Sequence, residues 1–479
     1  MLALEIADAV RSGKSTPKEV LLEHLERVER VEPQLHAFIT LNPQAEAEAQ
    51  RVAERIARGE HLPLAGVPVA LKDNICTRGL ATSAGSRVLE RFVPPYSATV
   101  VEKLRAAGAV VLGKANMDEF AQGSSTEYSA FGPTRNPWSL EHVPGGTSGG
   151  SAAAVGAGMV PLALGTDTGG SVRQPAGFCG IYGFKPTYGR ISRYGVIATA
   201  SSLDQVGTMA RAVADLAALT DAVSGPDPMD STSLEAQPRF TQALDPAEGP
   251  NLKVGVVREA FGGNTAGVDE ACENFRKTLE GRGVRFIEVS IPSLEYALAA
   301  YYIVNTAEIS SNLARYDGTL YGSRASGEDM LETMMLTREQ GFGPEVKRRI
   351  LMGTFALSSG YYDAYYGKAL RARAKLKADF EVAFGQADLL LTPTSPFPAF
   401  KFGSKTADPL SMYLADIDTV AINLVGVPAM SIPAGFEEGL PVGVQLIGKP
   451  LHDEVIFRAA LAFEQATDRE FVRTASTGL

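Results

Sequence analysis

Two short loops and one lysine carry most of the chemistry this sequence can offer. Gly145-Gly146-Thr147-Ser148-Gly149-Gly150-Ser151 and Gly165-Thr166-Asp167-Thr168-Gly169-Gly170-Ser171-Val172-Arg173 each combine hydroxyl side chains with bare backbone amides, and they bracket one apolar segment. Glycine lets the main chain approach a ligand closely, and successive free N–H groups form anion-binding concavities. The pattern suits oxyanion chemistry or phosphate binding. The alternative is a flexible Gly/Ser linker, against which the apolar composition of the intervening segment speaks. Upstream, Val67-Pro-Val-Ala-Leu71 reads as a short strand that delivers Lys72 at its C-terminal end. Alone, such a lysine is a solvated edge charge; paired with the two loops it is a candidate base.

Other bases are poorly placed. Of the five histidines, His24, His36, His61, His142 and His452, only His142 lies near the loops, and Leu140-Glu-His-Val-Pro reads as a turn, so a Ser-His-Asp triad is not expected. His-Glu-x-x-His is absent. Cys76, Cys179 and Cys272 lie far apart with no Cys-x-x-Cys, which argues against a disulfide framework or a zinc site and for small buried hydrophobes. Gly108-Ala-Val-Val-Leu-Gly-Lys114-Ala115 imitates a phosphate-binding P-loop, but Ala115 replaces the hydroxyl that would hold magnesium, and the glycines enclose a strand.

An amine base remains. An ammonium cannot accept a proton, so the lysine must be buried enough to bring its pKa down from about 10.4 towards neutrality. A serine or threonine between lysine and nucleophile would relay the proton, and backbone N–H groups around Thr168, Gly169, Gly170 and Ser171 would stabilise a tetrahedral oxyanion. The reaction this predicts is acyl transfer through an ester intermediate, without metal or cofactor.

The elements that must position these groups follow from periodicity. A short helix is expected over 2 to 12, and Ser15-Thr16-Pro17-Lys18-Glu19 opens another to about Val31, with a hydroxyl cap, proline in the first turn and glutamate three residues on. A third covers 44 to 58, completing a helical arm or packing layer over about 1 to 60. Helix 98 to 107 followed by strand Ala109 to Leu112 is an α-then-β unit of the kind that builds a mostly parallel sheet. Residues 180 to 194 read as a turn-rich connection leading to 201 to 205, 211 to 223 as a helix, and the polar, Pro-rich stretch 226 to 251 as a surface excursion. Strands are expected at 252 to 257, 285 to 289, 389 to 391 and 442 to 447, and helices at 268 to 280 and 453 to 467. A helical insertion spans about 294 to 383. At 479 residues with 45% hydrophobic and 21% charged side chains the chain is globular. No run of about 18 uncharged apolar residues exists, and the start lacks a basic leader region, so a soluble, cytoplasmic chain is expected. A net charge of −10 speaks against a broad nucleic-acid surface on this chain alone.

Pro144 to Ser151, together with Gly165 to Ala176 and the upstream Lys72-Asp73-Asn74, resembles the signature of the amidase signature family, whose members cleave amides with a Ser-Ser-Lys triad. The stretches 179 to 198, 201 to 207, 310 to 318, 341 to 350 and 356 to 366 are similar, within that family, to glutaminase subunits of tRNA-dependent amidotransferases, and the likeness runs from about residue 2 to 470. The resemblance implies a single amidase domain: an α/β fold with a mixed, mostly parallel central β-sheet covered by helices on both faces. It implies Ser171 as nucleophile and Lys72 as base. The family's middle serine, which sits in a cis peptide, falls on Thr147 here, so Thr147 is the expected relay, with Ser148 beside it as the alternative and otherwise expected to meet the substrate. It further implies that glutamine is the substrate, its carboxylate clamped by Arg349 and its ammonium met by Asp416, with Tyr301 lining the pocket. From the residues alone, a surface helix arginine and a helix-cap aspartate are the plainer readings. B and C subunits of a heterotrimer are implied as partners. The B subunit would hold ATP, magnesium and most of the tRNA contact, and this chain would carry no cofactor. The rivals are a stand-alone amidase on another small amide, and a catalytically silent scaffold.

Overall fold

The computed structural model describes residues 1–235, 240–244 and 251–467. Eleven strands form one sheet: β1 (Phe38–Leu41), β2 (Pro68–Lys72), β3 (Val110–Ala115), β4 (Leu162–Asp167), β5 (Tyr182–Lys185), β6 (Gln205–Ala210), β7 (Lys253–Val257), β8 (Arg285–Val289), β9 (Leu389–Pro393), β10 (Ala429–Glu437) and β11 (Leu440–Gly448). Their order across the sheet is β1-β3-β2-β4-β6-β5-β10-β11-β9-β7-β8. The sheet is mixed, as expected, but it is not mostly parallel. Parallel pairing is confined to β3-β2-β4 near one edge and β9-β7-β8 at the other, and the pairings from β4 through β6, β5, β10 and β11 to β9 are all antiparallel. The difference arises from strands that carry no clear signal in the sequence. β5 falls in the stretch expected to be a turn-rich connection, and β6 starts at the end of the segment it leads to. β10 joins β11 through Glu438 and Gly439, both at positive φ (51° and 81°), the backbone a two-residue hairpin requires.

The expected helices form with shifts of a residue or two, except that the second, expected to end at about Val31, runs on to Leu35. Thr16 Oγ1 accepts from Glu19 N and Glu19 Oε2 accepts from Thr16 N, so the predicted capping box starts the helix Pro17–Leu35. Helices Ala3–Arg11, Pro17–Leu35 and Ala45–Ala57 bury Ala3, Ile6, Val20, Val28, Ala49 and Val52 in the same apolar cluster as the sheet, so they are a packing layer. The apolar segment between the two glycine loops divides into the helix Gly149–Gly156 and strand β4. The stretch 294 to 383 holds helices Ala297–Asn312, Met330–Gly341, Pro344–Leu357 and Lys368–Phe384, of which the first and last pack into a second apolar cluster containing Tyr301, Tyr302, Leu376, Phe380 and Ile422. Part of the predicted surface excursion, 236–239 and 245–250, lies outside the described residues. Cys76, Cys179 and Cys272 are free and buried.

Candidate active site

β2 and β4 are parallel neighbours, so the loops that leave their C-terminal ends emerge side by side. Lys72 ends β2 and is fully buried. Its Nζ lies 2.5 Å from Thr147 Oγ1, 2.9 Å from Ser148 Oγ and 3.2 Å from the Thr166 carbonyl. Burial pulls its pKa down to about 7, against the raising charges of Asp118, Asp167 and Asp204. Near neutral pH about half of these amines carry a free lone pair, which is what a lysine base requires.

The first glycine loop brings both hydroxyls to that amine. The Gly146–Thr147 peptide is cis, the geometry the family resemblance assigns to its middle residue. Ser148 is committed elsewhere: its Oγ donates to the Thr166 carbonyl and accepts from Thr166 N, while its own N–H donates to the Ser171 carbonyl at 3.2 Å. Its hydroxyl is fully buried and its hydrogen bonds run within the scaffold. Thr147 Oγ1, in contrast, has Lys72 as its hydrogen-bond partner and no second one among the described residues.

The second loop carries Ser171, 8% exposed, whose hydroxyl has no hydrogen-bond partner among the described residues. It is tied to the first loop through its main chain. Asp167 shapes this turn: Oδ1 accepts from Gly170 N (2.9 Å) and Oδ2 from Val172 N (3.1 Å). Gly170 therefore cannot serve as an oxyanion donor, because its amide is already spent; the N–H groups of Thr168, Gly169 and Ser171 have no acceptor among the described residues. Asp167 in turn forms a buried pair with Arg173 (2.9 and 3.0 Å), and Arg173 also donates to Gln445 and Asn423. Burial alone would raise the Asp167 carboxyl, but the Arg173 charge and its hydrogen bonds hold it well below the ordinary carboxylate range.

Both glycines are sterically required. A β-carbon on Gly169 would come within 2.3 Å of the Tyr301 hydroxyl, and one on Gly170, at φ 131°, within 2.2 Å of Thr419 Oγ1. Tyr301 thus roofs the second glycine turn, and Thr419 fixes it by donating to the Gly169 carbonyl at 2.6 Å. Thr168 Oγ1 donates to Asp204.

Arg349 and Asp416 are both buried and both meet Tyr302, Arg349 over its ring and Asp416 at its hydroxyl. Arg349 lies over the Tyr302 and Tyr413 rings, 5.3 Å from each centroid. Its Nε donates to Glu345 (2.7 Å) and Nη1 to Gln122 (3.0 Å), whereas Nη2 is buried with no partner among the described residues. Asp416 accepts from Ser124 Oγ (2.7 Å) and Tyr302 OH (3.0 Å); burial lifts its pKa to about 7 despite these bonds and the Arg349 charge. Neither residue takes its plainer role on the surface. Gln122, Ser124, Asp204, Thr419 and Asn423 escape a reading of the sequence, because they are polar residues in unremarkable contexts whose partners lie far along the chain.

Lys114, of the P-loop imitation, is buried in β3 and donates to the Ile75 carbonyl and Thr82 Oγ1. His142 bonds Ser139 in its turn. Among the described residues there is no cluster of three metal-ligating side chains and no helix long and apolar enough to cross a membrane.

The amidase family model matches residues 19–457. The chain belongs to the amidase family. Among curated relatives, the glutamyl-tRNA(Gln) amidotransferase A subunit of Thermus thermophilus is 59% identical over 473 residues, covering 99% of this chain and 98% of the relative. Its counterpart from Deinococcus radiodurans is 58% identical over 467 residues, 96% of each. Among solved structures, the corresponding protein of Thermotoga maritima aligns at TM-score 0.77 and 44% identity, covering 94% of this chain and 91% of that one. The peptide amidase of Stenotrophomonas maltophilia aligns at 0.83 and 31%, covering 98% and 97%. In this amidase Lys72 ends a strand and the glycine-rich loops lie against it.

Proposed function

We propose that this amidase is the glutaminase subunit of a tRNA-dependent amidotransferase. Glutamine binds with its carboxylate on the orphaned Nη2 of Arg349 and its ammonium on Asp416. Lys72, as the free amine, takes the Thr147 proton while Thr147 takes that of Ser171, and the Ser171 oxygen attacks the side-chain amide carbon. The oxyanion meets the free amides of the second loop. Return of the proton to nitrogen breaks the C–N bond, releasing ammonia and leaving a γ-glutamyl ester on Ser171. Water, deprotonated by the same relay, attacks that ester and frees glutamate and Ser171. The observation that carries this reading is the buried Lys72 amine, brought near pH 7 and 2.5 Å from the Thr147 hydroxyl.

The ammonia passes to a B subunit that activates glutamate on tRNA(Gln), or aspartate on tRNA(Asn), with ATP and magnesium; a C subunit completes a cytoplasmic heterotrimer, and this chain needs no cofactor of its own. Identities of 58% and 59% to amidotransferase subunits, against 31% to a peptide amidase, support this partnership. The test is co-purification with partner subunits followed by an ammonia assay with and without charged tRNA. Full-rate glutamine hydrolysis by the isolated chain, indifferent to partners, would select a stand-alone amidase. Failure to trap a covalent adduct at Ser171 with a glutamine-analogue electrophile would leave only a silent scaffold.

A further inference from the structure

One short segment, Asp118 to Thr126, touches the first glycine loop, Arg349 and Asp416. Asp118 accepts from the N–H groups of Ser125, Thr126 and Tyr128, and Gly146 packs on it so closely that a β-carbon there would lie within 2.5 Å of both Asp118 Oδ2 and Ser125 N. Glu119 Oε2 accepts from Gly343 N at 2.7 Å, where the helix Pro344–Leu357 that carries Glu345 and Arg349 begins. Gln122 accepts from Arg349 Nη1 and anchors its own amide nitrogen on the Phe120 carbonyl (2.9 Å). Ser124 donates to Asp416. Phe120, Ala121 and Thr126 all take positive φ (49°, 57° and 61°), a conformation that persists in side-chain-bearing residues only where the surroundings over-determine it.

Resting on the glutaminase reading, we infer that this segment is the specificity element of the site: Gln122 positions Arg349 for the substrate carboxylate, and Ser124 positions Asp416 for the substrate ammonium. With Nε held by Glu345 and Nη1 by Gln122, the guanidinium cannot turn, and Nη2 is left as the nitrogen that a carboxylate completes. Because the same backbone packs against Gly146, the distance between the gripped α-carbon and the relay hydroxyl is set by one rigid piece of chain.

The test uses two truncated substrates. Glutaric monoamide keeps the carboxylate of glutamine and lacks the ammonium; 4-aminobutanamide keeps the ammonium and lacks the carboxylate. Steady-state kinetics are measured in the assembly in which the full chain is active. Gln122→Met is expected to raise KM for glutamine about tenfold, the worth of one hydrogen bond to a charged group, and to lower kcat/KM for glutaric monoamide about tenfold more than for 4-aminobutanamide. Gln122→Glu, which keeps an acceptor but adds a charge that competes with the substrate, shifts the ratio the same way. Ser124→Ala shifts it in the opposite sense. A purely structural role would weaken both probes together, and equal losses in the Gln122 and Ser124 variants would overturn the inference. Arg349→Lys separates the two levels: equal losses on both probes there would remove the glutamine pocket itself, whereas a carboxylate-selective loss in Arg349→Lys without one in Gln122→Met would remove only the positioning role.

Discussion

Lys72 Nζ lies 2.5 Å from Thr147 Oγ1 with both side chains closed off from solvent. An ammonium in that position would donate to the hydroxyl and hold its oxygen in place without activating it; the free amine accepts the hydroxyl proton. The same burial that removes water from Lys72 decides between these states, since taking a charge out of water favours the neutral form.

The amide-cleaving step is therefore expected to rise with pH and level off above a midpoint of about 7, the pKa that burial gives Lys72. The sign follows from a depressed cation: below the midpoint the amine is protonated and inactive as a base. Lys72→Met should lower kcat by about 10²–10⁴-fold, the range of a general base. Lys72→Arg should do no better, because a guanidinium stays charged. A single-turnover ammonia assay from about pH 5.5 to 9, spanning the shifted lysine, checks both, and a flat profile would place the base elsewhere.

Thr147 and Ser148 both reach Lys72, but only one has a proton to spare. The Ser148 hydroxyl is already spent on the Thr166 carbonyl. Thr147→Val should lower kcat at least about 10²-fold, Thr147→Ser should keep it within about tenfold because the hydroxyl survives, and Ser148→Ala should act chiefly on thermal stability. Retained activity in Thr147→Val together with an inactive, folded Ser148→Ala would exchange the two roles.

Glutamine affinity has its own pH dependence. Asp416 is lifted to about 7 by burial, so below that pH it is largely a neutral acid that cannot pair with an ammonium. KM for glutamine is expected to fall as pH rises from about 6 to 8 across that midpoint, while Asp416→Asn should give a high, pH-independent KM. Isothermal titration of a Ser171→Ala variant with glutamine reads the same trend without turnover, and an affinity that ignores pH in this range would take Asp416 out of the pocket.

The parts of this site that the sequence disclosed are those whose residue types are unusual in themselves. Glycine pairs flanked by hydroxyls, and a lysine at the end of an apolar strand, announce close backbone approach and a buried amine. Gln122 and Ser124 announce nothing, because their meaning depends on Arg349 and Asp416, 227 and 292 residues further on. The same holds for the fold. Helices with a capping box or clear 3.6-residue period start within a residue or two of their expected places, whereas β5 and β6, short and fully buried, have no alternation to betray them. Gly170 eludes the motif for a related reason: a glycine in an oxyanion-like loop cannot reveal that an aspartate three residues earlier has taken its N–H.

That aspartate supports the last prediction. Asp167 and Arg173 are both fully buried, and each holds partners beyond the other: Gly170 N and Val172 N on the acid, Gln445 and Asn423 on the base. Removing one charge from such a pair strands the other, at a cost of about 3–5 kcal/mol. Asp167→Asn should therefore lower the urea midpoint markedly, and it should also lower kcat, since the turn bearing Ser171 and the free amides loses its brace. Arg173→Met in the same chain removes the stranded cation and should recover part of the stability without recovering activity, because the turn still lacks a carboxylate to hold Gly170 N and Val172 N. Urea unfolding and kcat measured on both variants separate the two effects: activity returning in step with stability would mean that Asp167 acts on folding alone and does not set the geometry of the turn.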